Sequence, residues 1–261
     1  MHKTLHILNG DSTAGIFAGS GLPGDILVWR EMLCEGPLHQ DVGSDPFWMN
    51  RYAFFEDSLK VNRLEYFDKT IKEVLKIEDN DHYNEVVLWF EYDLFCQVNL
   101  LAACTFLLKN YRKDIRYSLV CTGKEKGKEQ LQSLSDYAAE DYKDLYENRI
   151  KLTRNDLLFA KESWETYVRN DQKELQEFDF NRNKKFRYLQ AATDQHLMRF
   201  PDKNGLDQID RKIIELSKEG NPDQNDLVKE LLNWQKAETV YGFGDLQYIN
   251  KIKNLKEKGI I

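Results

Sequence analysis

Residues 86–90, Val-Val-Leu-Trp-Phe, are apolar without a break and are bounded by Glu85 and Glu91. A run this short and this continuous suits a strand covered on both faces, since one exposed face would demand alternation. Strands of that kind belong to parallel sheets, and parallel neighbours need crossover helices. The flanking sequence supplies both. "TLHIL" and "DILVWREML" precede the run and "RYSLVCTG" follows it, so strands are expected over residues 4–9, 25–31, 85–91 and 116–121. Between them lies "DSTAGIFAGSG", a helix start with Asp11 or Ser12 as its cap. A stretch follows in which Phe47, Tyr52, Phe55, Leu59, Tyr66, Ile71, Val74 and Leu75 recur at helical spacing, and then the apolar helix "LFCQVNLLAACTFLLKN". The predicted class is α/β, with a Rossmann-like, mostly parallel sheet over residues 1–125.

After Gly123 the strand signal fades. Residues 126–205 read as a helical connector. "LTRNDLLFAKESWETYVRN" has Thr153 as its cap and places Leu157, Leu158, Trp164 and Val168 on one side. "DQKELQEFDFNRNKK" is polar and expected to be exposed. "FRYLQAATDQHLMRFP" is a further helix, with His196 and Arg199 placed for a domain contact or to close over a cleft. In residues 206–261 three apolar stripes, on Leu206, Ile209 and Ile213, on Leu227 and Leu231, and on Leu246, Ile249, Ile252 and Leu255, predict a small helix-turn-helix-like or winged-helix-like domain. Lys251, Lys253, Lys256 and Lys258 are expected on the solvated side of its last helix.

Charge narrows the partners. The net charge of −7 argues against a chain-wide nucleic-acid footprint. From Leu206 onward nine Lys/Arg face ten Asp/Glu, a balance that makes poor phosphate contact. A protein partner for the C-terminal domain is therefore favoured over DNA. The four cysteines form no C-x-x-C pair, and neither a secretory signal nor a bilayer-length apolar run is legible. These features fit a cytoplasmic protein with free thiols and no membrane contact.

Acids and glycines gather where the expected strands end. Asn9, Gly10, Asp11 and Ser12 sit at a strand-to-helix turn, the edge at which open α/β sheets bind ligands. Gly10 and Gly15 have P-loop spacing, but Ile16-Phe17 replaces the Lys-Ser/Thr pair, which excludes a Walker A site. Arg30, Glu31 and Glu35 leave the second strand, and Glu91 and Asp93 leave the third. If those strands are neighbours, Asp11, Glu31 or Glu35, Glu91 and Asp93 face one cleft. Such a group repels itself unless a proton or a cation holds it. Asp11, Glu91 and Asp93 are then candidate ligands for Mg²⁺ or Mn²⁺ acting on a phosphoryl group. Asp11, Glu31, Glu91, Asp93 and His39 are the candidate catalytic residues. Asn9, Gly10, Ser12, Arg30 and Glu35 are the candidate ligand contacts. The same acids can equally cap helices or pair with Arg30, Arg51 and lysines.

"HILNGDS", "GDILVWREMLCEGP", "LWFEYDLFCQVNLL", "LTRNDLLFAKESWETY" and "YLQAATDQHLMRFP" resemble the bacterial family called domain of unknown function 1835. "GLDQID" and "GFGDLQYINKIKNLKEKGII" resemble its C-terminal companion, domain of unknown function 3658. The resemblance implies the architecture given above and carries no assigned activity. The residues themselves suggest an enzyme for a nucleotide or other phosphate-containing small molecule, or else a non-catalytic adaptor working through its C-terminal domain.

Overall fold

A computed structural model describes residues 3–78, 82–218 and 222–261. Four strands, β1 (Thr4–Asn9), β2 (Asp25–Trp29), β3 (Glu85–Phe90) and β4 (Arg116–Cys121), pair in parallel, and β5 (Ile150–Leu152) adds antiparallel to β4. The order is β2-β1-β3-β4-β5. Every residue of β3 is buried, as its unbroken apolar run requires. Even its first residue, Glu85, is buried, with Arg149, Arg116 and Tyr146 around its carboxylate. The expected strand at 25–31 ends early, at Trp29. There the Gly10 amide takes the Trp29 carbonyl at 3.1 Å and the chain turns away, carrying Arg30 to Asp11. β5 was not expected: with three residues and Lys151 at its centre, it has no run to recognise.

The helices are α1 (Asp11–Phe17), α2 (Asp45–Leu59), α3 (Arg63–Tyr66), α4 (Lys72–Val74), α5 (Leu94–Lys109) and α6 (Tyr142–Glu147). They continue with α7 (Arg154–Arg169), α8 (Gln172–Glu177), α9 (Leu189–Leu197), α10 (Gln208–Ser217), α11 (Gln224–Glu238) and α12 (Asp245–Glu257). Among the described residues no helix is long and apolar enough to cross a membrane. The two faces of the sheet are covered differently. On one, Phe17 of α1 and Tyr142 of α6 close over Leu8, Val87 and Trp89, with Tyr142 stacked on Trp89 at 5.3 Å. On the other lies α5, buried along almost its whole length and packed against α7 and α9. α1 and α5 therefore leave adjacent strands toward opposite faces, so β1 and β3 enclose a crevice at their carboxyl ends.

Thr153 caps α7 in a reciprocal box with Asp156. The segment "DQKELQEFDFNRNKK" is largely exposed, as its polarity suggests, but it is anchored at a few points. Leu175 and Phe180 are fully buried, and Asn183 and Lys185 bond to Asp156. In the C-terminal segment α10, α11 and α12 pack on one another through Ile209, Ile213, Leu227, Leu231, Ile252 and Leu255. Two expectations fail there. Leu246 is 53% exposed, because at two positions before Tyr248 it lies on the opposite side of α12 from the buried Tyr248, Ile252 and Leu255. Lys251 does not face open solvent but pairs with Asp207 and Asp210, the cap and first turn of α10.

Candidate functional site

The carboxyl ends of β1 and β3 are joined by side chains of α5. Asn9 ends β1, and its Nδ2 donates to Cys96 Sγ at 2.8 Å. Asn99, fully buried, donates to Asn9 Oδ1 at 2.9 Å and to the Glu31 carbonyl at 2.6 Å, and its own Oδ1 accepts from the Leu33 amide. Cys96 and Asn99 are three residues apart, so both face the same way from α5. Gly10 makes the turn possible, with φ of 88°, where a Cβ would be strained.

Beyond this bridge two carboxyls lie side by side. Asp93 is the N-cap of α5, and its Oδ1 accepts from the Cys96 amide at 2.8 Å. Glu91, half-buried, accepts from the Leu134 amide at 2.8 Å. One donor atom from each of Glu91, Asp93 and Cys96 lies within 4.8 Å of the others. Burial first, and then the charge of Asp93, push the Glu91 carboxyl far above the ordinary carboxylate range. Burial likewise raises Asp93, against the hydrogen bond from the Cys96 amide, and keeps the Cys96 thiol protonated. Both carboxyls of the pair are thus pushed toward the protonated form. Close by, Gln97 Nε2 donates to the Glu91 carbonyl at 2.5 Å, while its buried Oε1 has no hydrogen-bond partner.

Asp93 opens onto a cleft of about 740 Å³ between the sheet edge and the C-terminal helices. Tyr92, Ser133, Ser135 and Gln195 contribute to its walls. Four carboxylates, Asp93, Glu129, Asp136 and Glu238, line it against one amine, Lys236. A volume of this size accommodates a small molecule, and the balance of charge favours a cation over a free anion. The α5 N-terminus, the natural seat for an anion, is already filled. The Leu94 amide donates to the Val240 carbonyl at 2.7 Å and the Phe95 amide to Tyr241 at 3.1 Å.

The other candidates do not join this group. Asp11 is not a third ligand beside Glu91 and Asp93; the third donor there is Cys96. Asp11 is instead held by Arg30, whose Nε and Nη2 reach its carboxylate at 2.7–3.0 Å, and these bonds lower its pKa. With Asp11 71% exposed, the pair adds at most about 1 kcal/mol. Glu31 is fully buried, bonded to Arg51 Nε at 2.9 Å and to the Tyr66 hydroxyl, and is inaccessible to a ligand. Glu35 pairs with Arg199 at 2.5 Å, and Arg199 also donates to the Cys34 carbonyl. His39 accepts from the Asp41 amide, next to Ser44 at the start of α2, and does not line the cleft. Ser12 is exposed on the first turn of α1, away from the cleft lining. His196 is not over the cleft either: it is buried between Tyr167 and Asn170. Residues 30–37 are thus a structural loop, clamped by Arg51, Asn99 and Arg199.

Cys96, Gln97 and Asn99 bond to the strand ends from α5 and lie outside the sequence-based candidates. Their trace in the sequence is polarity inside the otherwise apolar helix 94–109. The fold and this edge define an α/β protein with a carboxyl pair just past the carboxyl end of β3, beside a cleft that residues of the β1–α1 turn do not line. Comparison with family models and with curated proteins returns no match for the chain.

Proposed function

We propose that the protein is an enzyme that binds a small polar ligand in the cleft above Glu91 and Asp93. The observation that carries this reading is the pairing of the half-buried Glu91 carboxyl with the buried Asp93 carboxyl, the latter on the cleft wall, at the carboxyl edge of the sheet, where α/β proteins bind ligands. Buried like charges are costly, and natural chains keep such pairs chiefly where a shared proton or a cation is used. With a proton the pair is an acid–base couple: the raised carboxyl donates and its ionised neighbour accepts. With a cation, Glu91, Asp93 and Cys96 are the ligands, and the ion supplies charge neutralisation and Lewis acidity. The carboxylates suit Mg²⁺ or Mn²⁺, while the thiol shifts the preference toward Zn²⁺. A nucleotide or other phosphate-bearing substrate requires that cation, because the cleft is acidic and the α5 amides are taken.

Membership of the domain of unknown function 1835 family, with a Rossmann-like sheet and a helix-turn-helix-like C-terminal domain, belongs to the same proposal and rests on the motifs quoted above. The four free cysteines fit the bacterial cytoplasm that we propose as its location. The adaptor reading is favoured by one feature, the exposed Leu246 on α12.

Titration calorimetry with Mn²⁺, Mg²⁺ and Zn²⁺, alone and with ATP, tests the enzyme reading. An ion at a hundred times its dissociation constant stabilises the folded protein by about 2.7 kcal/mol. Glu91→Gln should remove that response while the fold persists. Absence of ion and nucleotide binding, combined with a flat pH profile for the Glu91 carboxyl, would leave the adaptor reading in its place.

A further inference from the structure

Residues 240–242 cross the sheet edge in an unusual way. Their backbone bonds reach one part of the molecule and their side chains another. The Val240 and Tyr241 carbonyls accept from the first two amides of α5, and the Val240 amide donates to Gln195 Oε1 of α9 at 3.1 Å. The side chains belong to the C-terminal helices. Tyr241, fully buried, lies 6.1 Å from Trp234 and 5.1 Å from Phe243, and Phe243 lies 6.1 Å from Tyr248. Tyr241 also donates to Gln208 Oε1 of α10 at 2.7 Å. Gly242 closes the strap against the candidate site. With φ of 69°, a Cβ there would come within 2.2 Å of Asp93 Oδ1.

We propose that the strap Val240–Gly242 is a releasable latch that holds the C-terminal helices over the Glu91–Asp93 pair. Lifting the three helices as one body leaves the aromatic cluster of Trp234, Tyr241, Phe243 and Tyr248 intact. What is broken is the two α5 bonds, the Gln195 bonds to Val240 and Gln208, the bond of the Gln208 amide to the Met198 carbonyl, the contact of Arg199 with the Phe243 ring, and the apolar edge along which these helices join the main core; otherwise α10, α11 and α12 pack chiefly on one another. Water replaces such bonds at little net cost, whereas opening a packed core does not have that compensation. A latch of this composition opens below the threshold of global unfolding. Its opening widens the cleft on the side of Asp93 and frees the Leu94 and Phe95 amides. The gating role rests on reading the cleft as the site; the opening does not.

Native-state hydrogen exchange of the full chain in low urea tests the latch. In the wild type the amides of Leu94, Phe95 and Val240 should share one opening, at least tenfold more frequent than that exposing Leu88 and Val120 in the sheet. Gln195→Ala should accelerate those three amides about tenfold or more, and so should Gly242→Ala. The amides of Leu88, Val120 and Leu231 should keep their rates. Exchange of the three only with the sheet, or equal acceleration of the Leu231 amide, would overturn the proposal. Should either variant fail to fold, the wild-type comparison decides alone. Mn²⁺ titration of the wild type reads the site separately, so a latch that opens over a cleft binding nothing refutes the site and not the latch.

Discussion

Removing the Arg51 side chain tests whether Glu31 is a structural charge rather than a catalytic one. Both side chains are fully buried, and Arg51 spends four of its five N–H donors locally. Its Nε reaches Glu31 at 2.9 Å, and its other nitrogens reach the carbonyls of Glu35 at 2.6 Å, Met32 at 3.1 Å and Pro37 at 3.3 Å. Arg51→Met leaves the Glu31 carboxylate buried with the Tyr66 hydroxyl as its remaining side-chain partner. Breaking a buried pair from one side costs about 3–5 kcal/mol, most of it the penalty of the stranded charge. For a chain of this size that corresponds to a fall in Tm of about 6–20 °C. The double variant Glu31→Gln/Arg51→Met removes the stranded charge and keeps an acceptor for Tyr66. It should recover about 2 kcal/mol of the loss, a coupling typical of residues in contact. Urea denaturation of the wild type, both single variants and the double variant closes the cycle. A cost below about 1 kcal/mol for Arg51→Met, the range of a surface pair, refutes the reasoning. So does strict additivity.

His6 should make the protein acid-sensitive. Trp89 Nε1, which can only donate, bonds to His6 Nδ1 at 3.1 Å, so the ring is neutral with its proton on Nε2, toward the Pro23 carbonyl. Burial lowers its pKa from 6.5 to about 4. The unfolded chain therefore takes up a proton first, and stability that is full above pH 6.5 is lost as the pH falls toward 4, by about 3 kcal/mol. His6→Gln should flatten that segment of the profile, and an unchanged slope in the variant counts against it. Glu91 acts in the opposite direction. Its folded pKa is raised, so its contribution is full at acid pH and declines as the pH climbs from 4.5 through the raised value. Glu91→Gln should accordingly stabilise the protein at alkaline pH, and a loss of stability there would show the carboxylate to be favourably paired. The full chain should give no salt-dependent, sequence-selective gel shift with duplex DNA, since its C-terminal charges balance and Lys251 is engaged by Asp207 and Asp210. Such a shift would promote a DNA-reading role.

The sheet was legible because burial on both faces leaves its mark residue by residue. Val86 to Phe90 have no polar member, and neither turn propensity nor helix period competes with that signal. The parallel order follows from the helices between the strands, and with it the gathering of strand-end acids along one edge. The division of those acids into partners was not legible. Asp11, Glu31 and Glu35 have the same composition as Glu91 and Asp93, yet each of the first three meets an arginine from another part of the chain: Arg30, Arg51 and Arg199. Glu35 and Arg199 are 164 positions apart, and no local period records such a meeting. What singles out Glu91 and Asp93 is the absence of any basic partner among their described bonds, together with the helix whose first turn they flank. A trace of this was present. Cys96, Gln97 and Asn99 interrupt the apolar face of α5 within two turns of Asp93, and a helix buried on all sides keeps polar residues chiefly where something bonds to them. Polarity inside a buried helix was therefore a better guide to the site than acidity at the strand ends. Charge at a strand end is cheap to pair, whereas an amide inside a core is costly wherever a group goes unbonded, and the one such group on these three side chains, Gln97 Oε1, belongs to the residue that bonds the Glu91 carbonyl.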